Sequence, residues 1–186
     1  MELETLLERC RAGDELAWEA LVRRFQGRVF ALAYHYLRNR EEARDVAQET
    51  FIRIFKSIEG FQDSEKFLPW MVRIARNCCI DRIRRLKVRP PLGGDELDEQ
   101  TVGPHPGAGP EAEAMVGERS HLVYRALDRM TEINREMILL KEIQGLKQRE
   151  IADLLSIPLG TVKARSNRAR VELARCIIDI DPSYGA

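Results

Sequence analysis

The chain has 186 residues, 44% of them apolar, and its 30 Lys and Arg balance 30 Asp and Glu. That length holds one ordinary domain or two small ones, and that apolar share supports real cores, which excludes disorder throughout. The longest apolar runs, such as MILL at 137–140, fall far short of the roughly 20 residues of a membrane span, and the acidic start MELETLLERC lacks the basic-then-apolar order of a signal peptide. The expected compartment is therefore the cytoplasm.

The first half of the chain reads as helix throughout. Leu16, Leu21, Val22 and Phe25, then Val29, Leu32, Ala33 and Tyr36, recur at spacings of three and four, with no sustained alternation of period two. Asp14 is placed to cap one helix. The next starts after Asn39, carries Glu41 and Glu42 in its first turn, and stops at Gly60. Its packing side is expected to be Ala47, Phe51, Ile54, Phe55 and Ile58, with Asp45, Gln48, Glu49, Ile52 and Lys56 opposite. Ile52 stands out there as an apolar residue among acids and amides, a pattern that can mark a docking surface. After the short FQDSEKF loop a further helix runs from about Pro69 to Lys87, Pro69 lying in the tolerated first turn. Its two sides separate, with Met71, Val72, Ala75, Cys78, Cys79 and Ile83 on one and Trp70, Arg73, Asn77, Asp81 and Arg84 on the other. An aromatic, cations and an amide on one open face suit stacking on unpaired bases with neutralisation of their backbone.

Residues 88–116 change character. Prolines, glycines and acids replace large apolar residues, so this stretch cannot bury enough surface to offset its ordering entropy, and we expect a flexible linker spanning up to about 90 Å when extended. Charge is segregated accordingly: residues 1–88 hold 17 Lys and Arg against 14 Asp and Glu, residues 89–118 hold 1 against 7, and residues 119–186 hold 12 against 9. The expected organisation is a domain over 1–87, the linker over 88–116, and a second domain over 117–186.

That second domain is expected to have helices at 117–130, 133–144, 148–155 and 160–177. The last two flank SIPLG, a break enforced by Pro158, which is helix-turn-helix spacing over about 148–176. At 100° per residue, Val162, Ser166, Ala169, Leu173 and Cys176 form one packing stripe, while Ala164, Asn167, Arg168, Val171 and Arg175 point away. A recognition helix enters the major groove by its N-terminal half, so Lys163, Ala164, Asn167 and Arg168 lie nearest base edges, with Arg165 and Arg170 better placed for phosphates.

Three separated segments, EEARDVAQETFIRIFKSIEGF, FLPWMVRIARNCCIDRIRR and GLKQREIADLLSIPLGTVKARSNRARVEL, occur in an order and spacing that resemble the bacterial sigma-70 family of RNA polymerase sigma factors, in the small extracytoplasmic-function (ECF) group that keeps only regions 2 and 4. The resemblance implies an all-α fold of two small helical domains joined by the linker. It implies a protein that binds core RNA polymerase, through the beta-prime clamp and the beta subunit, and directs initiation at promoter DNA. Asp45, Gln48, Glu49 and Ile52 then face the polymerase core. Asp63, Ser64, Phe67, Trp70, Arg73, Arg76, Asn77 and Arg84 become candidates for the opened minus-10 element, where a flipped base needs a pocket to offset unstacking. Lys163, Ala164, Arg165, Asn167, Arg168 and Arg170 become candidates for the minus-35 element. An anti-sigma factor is implied as a further partner, and the acidic linker resembles a connector that mimics nucleic acid.

Three residues depart from the family pattern. Lys147 replaces the usual Ser or Thr cap, Ser156 the usual Gly at a helix end, and Asn167 the common His or Phe on the groove side; Asn can bond adenine bidentately. The rival reading is a stand-alone helix-turn-helix regulator with a helical sensor domain. An enzyme is not expected: there is no Gly-rich phosphate loop, and His35, His105 and His121 lie near no matching Cys or carboxylate cluster, so neither cofactor nor metal is expected. Cys10, Cys78, Cys79 and Cys176 show no ligand spacing and read as buried free thiols.

Overall fold

The computed structural model describes residues 2–88 and 122–185. Past its first residue, the linker expected over 88–116 lies outside the described residues, as does the start of the helix expected at 117. Among the described residues every regular element is helical, and no helix is long and apolar enough to cross a membrane. The chain divides into two compact units, Met1–Leu92 and Gly93–Ala186.

The first unit contains α1 (Leu3–Arg11), α2 (Glu15–Leu37), α3 (Arg40–Ser57) and α4 (Phe67–Val88). Its caps follow the sequence. Leu16 and Ala17 donate their N–H groups to Asp14 Oδ1 at 3.0 and 3.1 Å, and Glu41 and Glu42 donate to Asn39 Oδ1 at 2.9 and 3.0 Å; each satisfies donors that have no partner inside the helix. Helix α2 ends on Arg38, which adopts the left-handed conformation at φ 54 and donates to Tyr34 O at 2.9 Å. Helix α4 begins two residues before Pro69, so the proline still falls where its missing N–H costs nothing. Leu6, Leu7, Leu21, Phe25, Val29, Leu32, Ile54, Phe67 and Met71 fill the core.

The buried face of α3 differs from the expected one. Ala43, Val46, Thr50 and Ile54 face inward, whereas Ala47 and Phe51 are half-buried and Phe55 is 59% exposed. The stripe is turned by about one residue, and Thr50 enters it with its hydroxyl satisfied, donating to Val46 O at 2.7 Å, one turn back on the same helix. Phe55 instead lies against Trp18, ring centroids 4.9 Å apart, and the Trp18 indole N–H donates to Cys10 O at 3.1 Å.

The second unit contains α5 (residues 122–129), α6 (Glu132–Ile138), a π turn at Leu139–Ile143, α7 (Gln148–Leu155) and α8 (Leu159–Ile180). The uninterrupted helix expected over 133–144 thus ends in a π turn: Gln144 N–H reaches Leu139 O at 2.8 Å, five residues back, and Gly145 follows at φ 74. Arg135 closes the end of α5, donating to the carbonyls of Leu127, Asp128 and Met130. Helix α7 has no side-chain acceptor from Lys147, as expected, but Glu150 accepts the Lys147 N–H at 2.7 Å. Ser156 takes the left-handed conformation, φ 54 and ψ 46. Val162, Ser166 and Ala169 are buried on α8, with Leu173 and Cys176 half-buried, so the expected stripe is the packing stripe.

Glu172 is the single acid in the basic stretch 156–176, and it does the work of an N-cap for another helix. It accepts the Thr131 N–H at 2.6 Å, the Thr131 hydroxyl at 3.0 Å and the Asn134 amide. Burial pushes its carboxyl up, but the bonds from Asn134 and Thr131 outweigh that and hold it below the usual carboxylate range. Replacing Glu172 by Ala is expected to lower the stability of the second unit by about 1 kcal/mol, the typical value of a lost cap. Urea unfolding followed by circular dichroism checks this; no change in midpoint would mean that the carboxylate holds nothing.

All four cysteines are free. Burial pushes the Cys10 thiol up to about 11 and the Cys79 thiol up to about 12, so neither is a thiolate nucleophile near neutral pH.

Candidate nucleic-acid interface

In the first unit an aromatic cluster shapes the entrance to α4. Phe61, at the start of the FQDSEKF loop, stacks on Trp70 with centroids 4.3 Å apart and planes 16° from parallel. Beneath them lies Phe67, with its ring 6.0 Å from Phe61, 5.9 Å from Trp70 and 5.4 Å from Phe25. Phe67 is 0% exposed. The expectation that it touches an opened DNA strand is therefore corrected: it has no surface to offer, and it serves as the floor on which Phe61 and Trp70 rest. Its place in the helix's first turn, facing α2, is what buries it.

Asp63 organises the loop. Its carboxylate accepts the Lys66 N–H at 3.3 Å and pairs with Lys66 Nζ at 2.7 Å, and this side-chain bond, with the Lys66 charge, lowers its pKa. Ser64 and Trp70 are half-buried, while Arg73, Asn77 and Arg84 are exposed. Arg76 is partly engaged within the unit, donating to Tyr36 Oη at 3.0 Å with its guanidinium 5.9 Å from that ring.

Asp45, Gln48, Glu49 and Ile52 are all exposed along α3, Ile52 at 48%. Glu49 pairs with Arg53 at 2.8 Å, Arg53 also reaches Asp81 at 3.3 Å, and Arg82 pairs with Glu42 and lies 3.7 Å from Asp45. The Arg53–Asp81, Arg82–Glu42 and Arg82–Asp45 contacts link α3 to α4, while Glu49–Arg53 lies within α3, where an exposed pair of this kind contributes little stability. Phe55, one turn beyond Ile52, is expected on the packing side, because an aromatic at helical spacing reads as core, but it is exposed on this face.

In the second unit the outer side of α8 carries Lys163, Ala164, Asn167 and Arg168, all exposed, with Arg165 half-buried. Arg170 is exposed as well but turned aside: its Nε and Nη2 both donate to Glu142 Oε1 of the π turn, at 3.1 and 2.8 Å. Asn134, Val171 and Arg175 join Asn167, Arg168 and Glu172 around a shallow groove. Asn134 was not legible as a member, since it is the packing of α6 on α8 that sets its amide against the Glu172 carboxylate, 38 residues away. One buried side and one basic, open side on the second helix of a helix-turn-helix is a geometry for the major groove.

The family models for Sigma-70 region 2 and for Sigma-70, region 4 match residues 21–89 and 120–173. The chain is 33% identical over 187 residues to the ECF RNA polymerase sigma factor SigW of Bacillus subtilis, covering 97% of this chain and 99% of that one. The chain belongs to the sigma-70 family. A second member of the family, the ECF RNA polymerase sigma-E factor of Haemophilus influenzae, is 33% identical over 172 residues, 90% of each chain. The sigma factor RpoE of Bartonella quintana, solved in complex with the anti-sigma factor NepR, shares the fold at a TM-score of 0.62 and 18% identity, covering 88% of this chain and 97% of that one. The aromatic cluster and α3 of this sigma factor fall within its region 2 match, and the helix-turn-helix falls within its region 4 match as far as residue 173.

Proposed function

We propose that this sigma factor acts as a promoter-specificity subunit with three working surfaces and no catalytic chemistry of its own. The exposed face of α3, with Asp45, Gln48, Glu49 and Ile52, docks on the beta-prime clamp of core RNA polymerase, and Phe55 extends that face. Trp70, Asp63, Ser64, Arg73, Arg76, Asn77 and Arg84 hold the opened minus-10 strand. Lys163, Ala164, Asn167 and Arg168 read the minus-35 duplex, with Arg165 on phosphates. Arg170 reaches a phosphate by leaving Glu142, an exchange that costs little because the pair is solvated. The beta subunit completes the polymerase contact, and the cytoplasm, where core polymerase works, is the compartment.

One observation carries the reading: the N-terminal half of α8 turns Lys163, Ala164, Asn167 and Arg168, all exposed, away from a stripe that is buried at Val162, Ser166 and Ala169. An anti-sigma factor is the further partner proposed, on the likeness to the RpoE that NepR binds. A stand-alone regulator is not favoured, since a region 2 match occupies the half of the chain that a sensor domain would need.

Arg168→Ala tests the minus-35 surface. A base-reading arginine is worth about 1–3 kcal/mol and relaxes specificity at one position, so binding of the polymerase holoenzyme to a cognate promoter should fall while binding to random duplex is unchanged. An equal loss on both would make Arg168 a phosphate contact instead.

A further inference from the structure

Helix α8 carries five cations, Lys163, Arg165, Arg168, Arg170 and Arg175, and among the described residues only Arg170 makes an ion pair. Its partner, Glu142, lies 28 residues earlier and takes two N–H groups of the guanidinium on one oxygen. The place of Glu142 is set by the core and not by this pair. It sits in the π turn Leu139–Ile143, which is anchored by buried Leu139 and Leu140 before it and by buried Gln144 and Leu146 after it. Gln144 N–H closes the turn on Leu139 O at 2.8 Å. Such turns inside helices are frequent at functional sites.

The pair does little for the fold, since the two side chains remain 53% and 43% exposed and a solvated pair of this kind contributes little. What it does fix is the direction of the Arg170 fork. Lys163 and Arg170 are seven residues apart, hence within about 20° of the same side of α8 and about 10 Å apart along it. Asn167 lies between them, turned toward the groove side. A duplex backbone following that flank meets Lys163 and then Arg170. At the second position it also meets the Glu142 carboxylate, a negative charge beside a phosphate.

We infer that Glu142 is a positioning residue for duplex binding: it withholds Arg170 from the DNA backbone, so the sequence-independent attraction of α8 is smaller than its cations alone would give. This rests on the proposed role of α8 as the reader of the minus-35 duplex. Phosphate contacts carry no sequence information, so Glu142 lowers affinity and salt dependence while leaving base discrimination to Asn167 and Arg168.

The test measures binding of the reconstituted holoenzyme to a cognate promoter fragment, and to the same fragment with one minus-35 base pair changed, by anisotropy over a salt series. Each phosphate neutralised on duplex DNA contributes about 0.9 to the slope of log K against log salt. In the wild type, the uncompensated Glu142 charge cancels most of what Arg170 adds. Glu142→Gln is expected to steepen the slope by about 0.9 and to raise affinity about two- to fivefold, equally on both fragments. Adding Arg170→Gln to it should return the slope to the wild-type value. Asp179→Asn makes the same charge change about 13 Å further along α8, beyond a Debye length of about 8 Å, and should leave the slope alone. The urea midpoint of Glu142→Gln should equal that of the wild type. An unchanged slope in Glu142→Gln, or a steepening matched by Asp179→Asn, overturns the inference while the wild-type preference for the cognate fragment keeps the parent reading standing. A wild-type holoenzyme that does not distinguish the two fragments at any minus-35 position overturns both.

Discussion

Phe67→Ala is expected to destabilise the first unit by about 3–5 kcal/mol, the range for deleting a buried aromatic ring and leaving a cavity. Phe67 is wholly buried and touches three other rings, those of Phe25, Phe61 and Trp70, so its removal leaves a void that none of them can fill without losing its own contacts. Both tryptophans of the chain, Trp18 and Trp70, lie in this unit, so their fluorescence in a urea titration follows its unfolding alone. Trp70→Ala is the paired experiment. Trp70 is half-buried and stacked on a single loop residue, so this change should cost less stability than Phe67→Ala and should lower single-strand affinity by about 1–3 kcal/mol, the value of one base–aromatic stack. If instead Phe67→Ala leaves the midpoint unmoved, the ring is not the floor of the cluster and its assignment to the core is wrong.

Acidification supplies the second large effect. His35 is 6% exposed on α2, and burial first, with the Arg38 charge second, lowers its pKa from 6.5 to about 4. Its Nδ1 makes no hydrogen bond. The folded state keeps this imidazole neutral while the unfolded chain protonates it, so between pH 6.5 and about 4 the unfolded state binds more protons and stability falls as pH falls. The full contribution is present above pH 6.5 and is lost on descending to about pH 4; it amounts to about 3 kcal/mol. His35→Leu should flatten tryptophan-monitored stability across that window. The lowered carboxyl of Asp14, held by the Ala17 N–H and Arg9, gives up its contribution only below the usual Asp value near 3.9, so the two effects separate in pH. A slope between pH 6.5 and 4 that persists undiminished in His35→Leu would place its origin elsewhere.

How far the sequence carried the structure can be judged at particular residues. The helices and the helix-turn-helix were legible because periodicity and capping are local: Asp14 and Asn39 cap where a short polar side chain precedes an amphipathic run, and Val162, Ser166 and Ala169 share a side by spacing alone. The turned stripe of α3 was not legible. Periodicity admits neighbouring rotations of a helix, and Thr50 enters the core with its hydroxyl bonded within its own helix. The working surfaces divide in the same way. The exposure of Lys163, Asn167 and Arg168 follows from helix geometry, whereas the burial of Phe67, the pairing of Arg170 with Glu142 across 28 residues and that of Glu172 with Thr131 across 41 depend on which helices meet. No local pattern encodes those meetings.

The central claim is that this chain gives core RNA polymerase its promoter. Run-off transcription on a library of genomic templates, with core polymerase and the purified chain, tests it directly. We expect discrete promoter-directed transcripts that depend on the chain and disappear with the folded Asp45→Ala, Gln48→Ala double variant. Specific duplex binding by the chain alone, with no promoter-directed transcript from any template when core polymerase is added, would contradict it and return the stand-alone regulator.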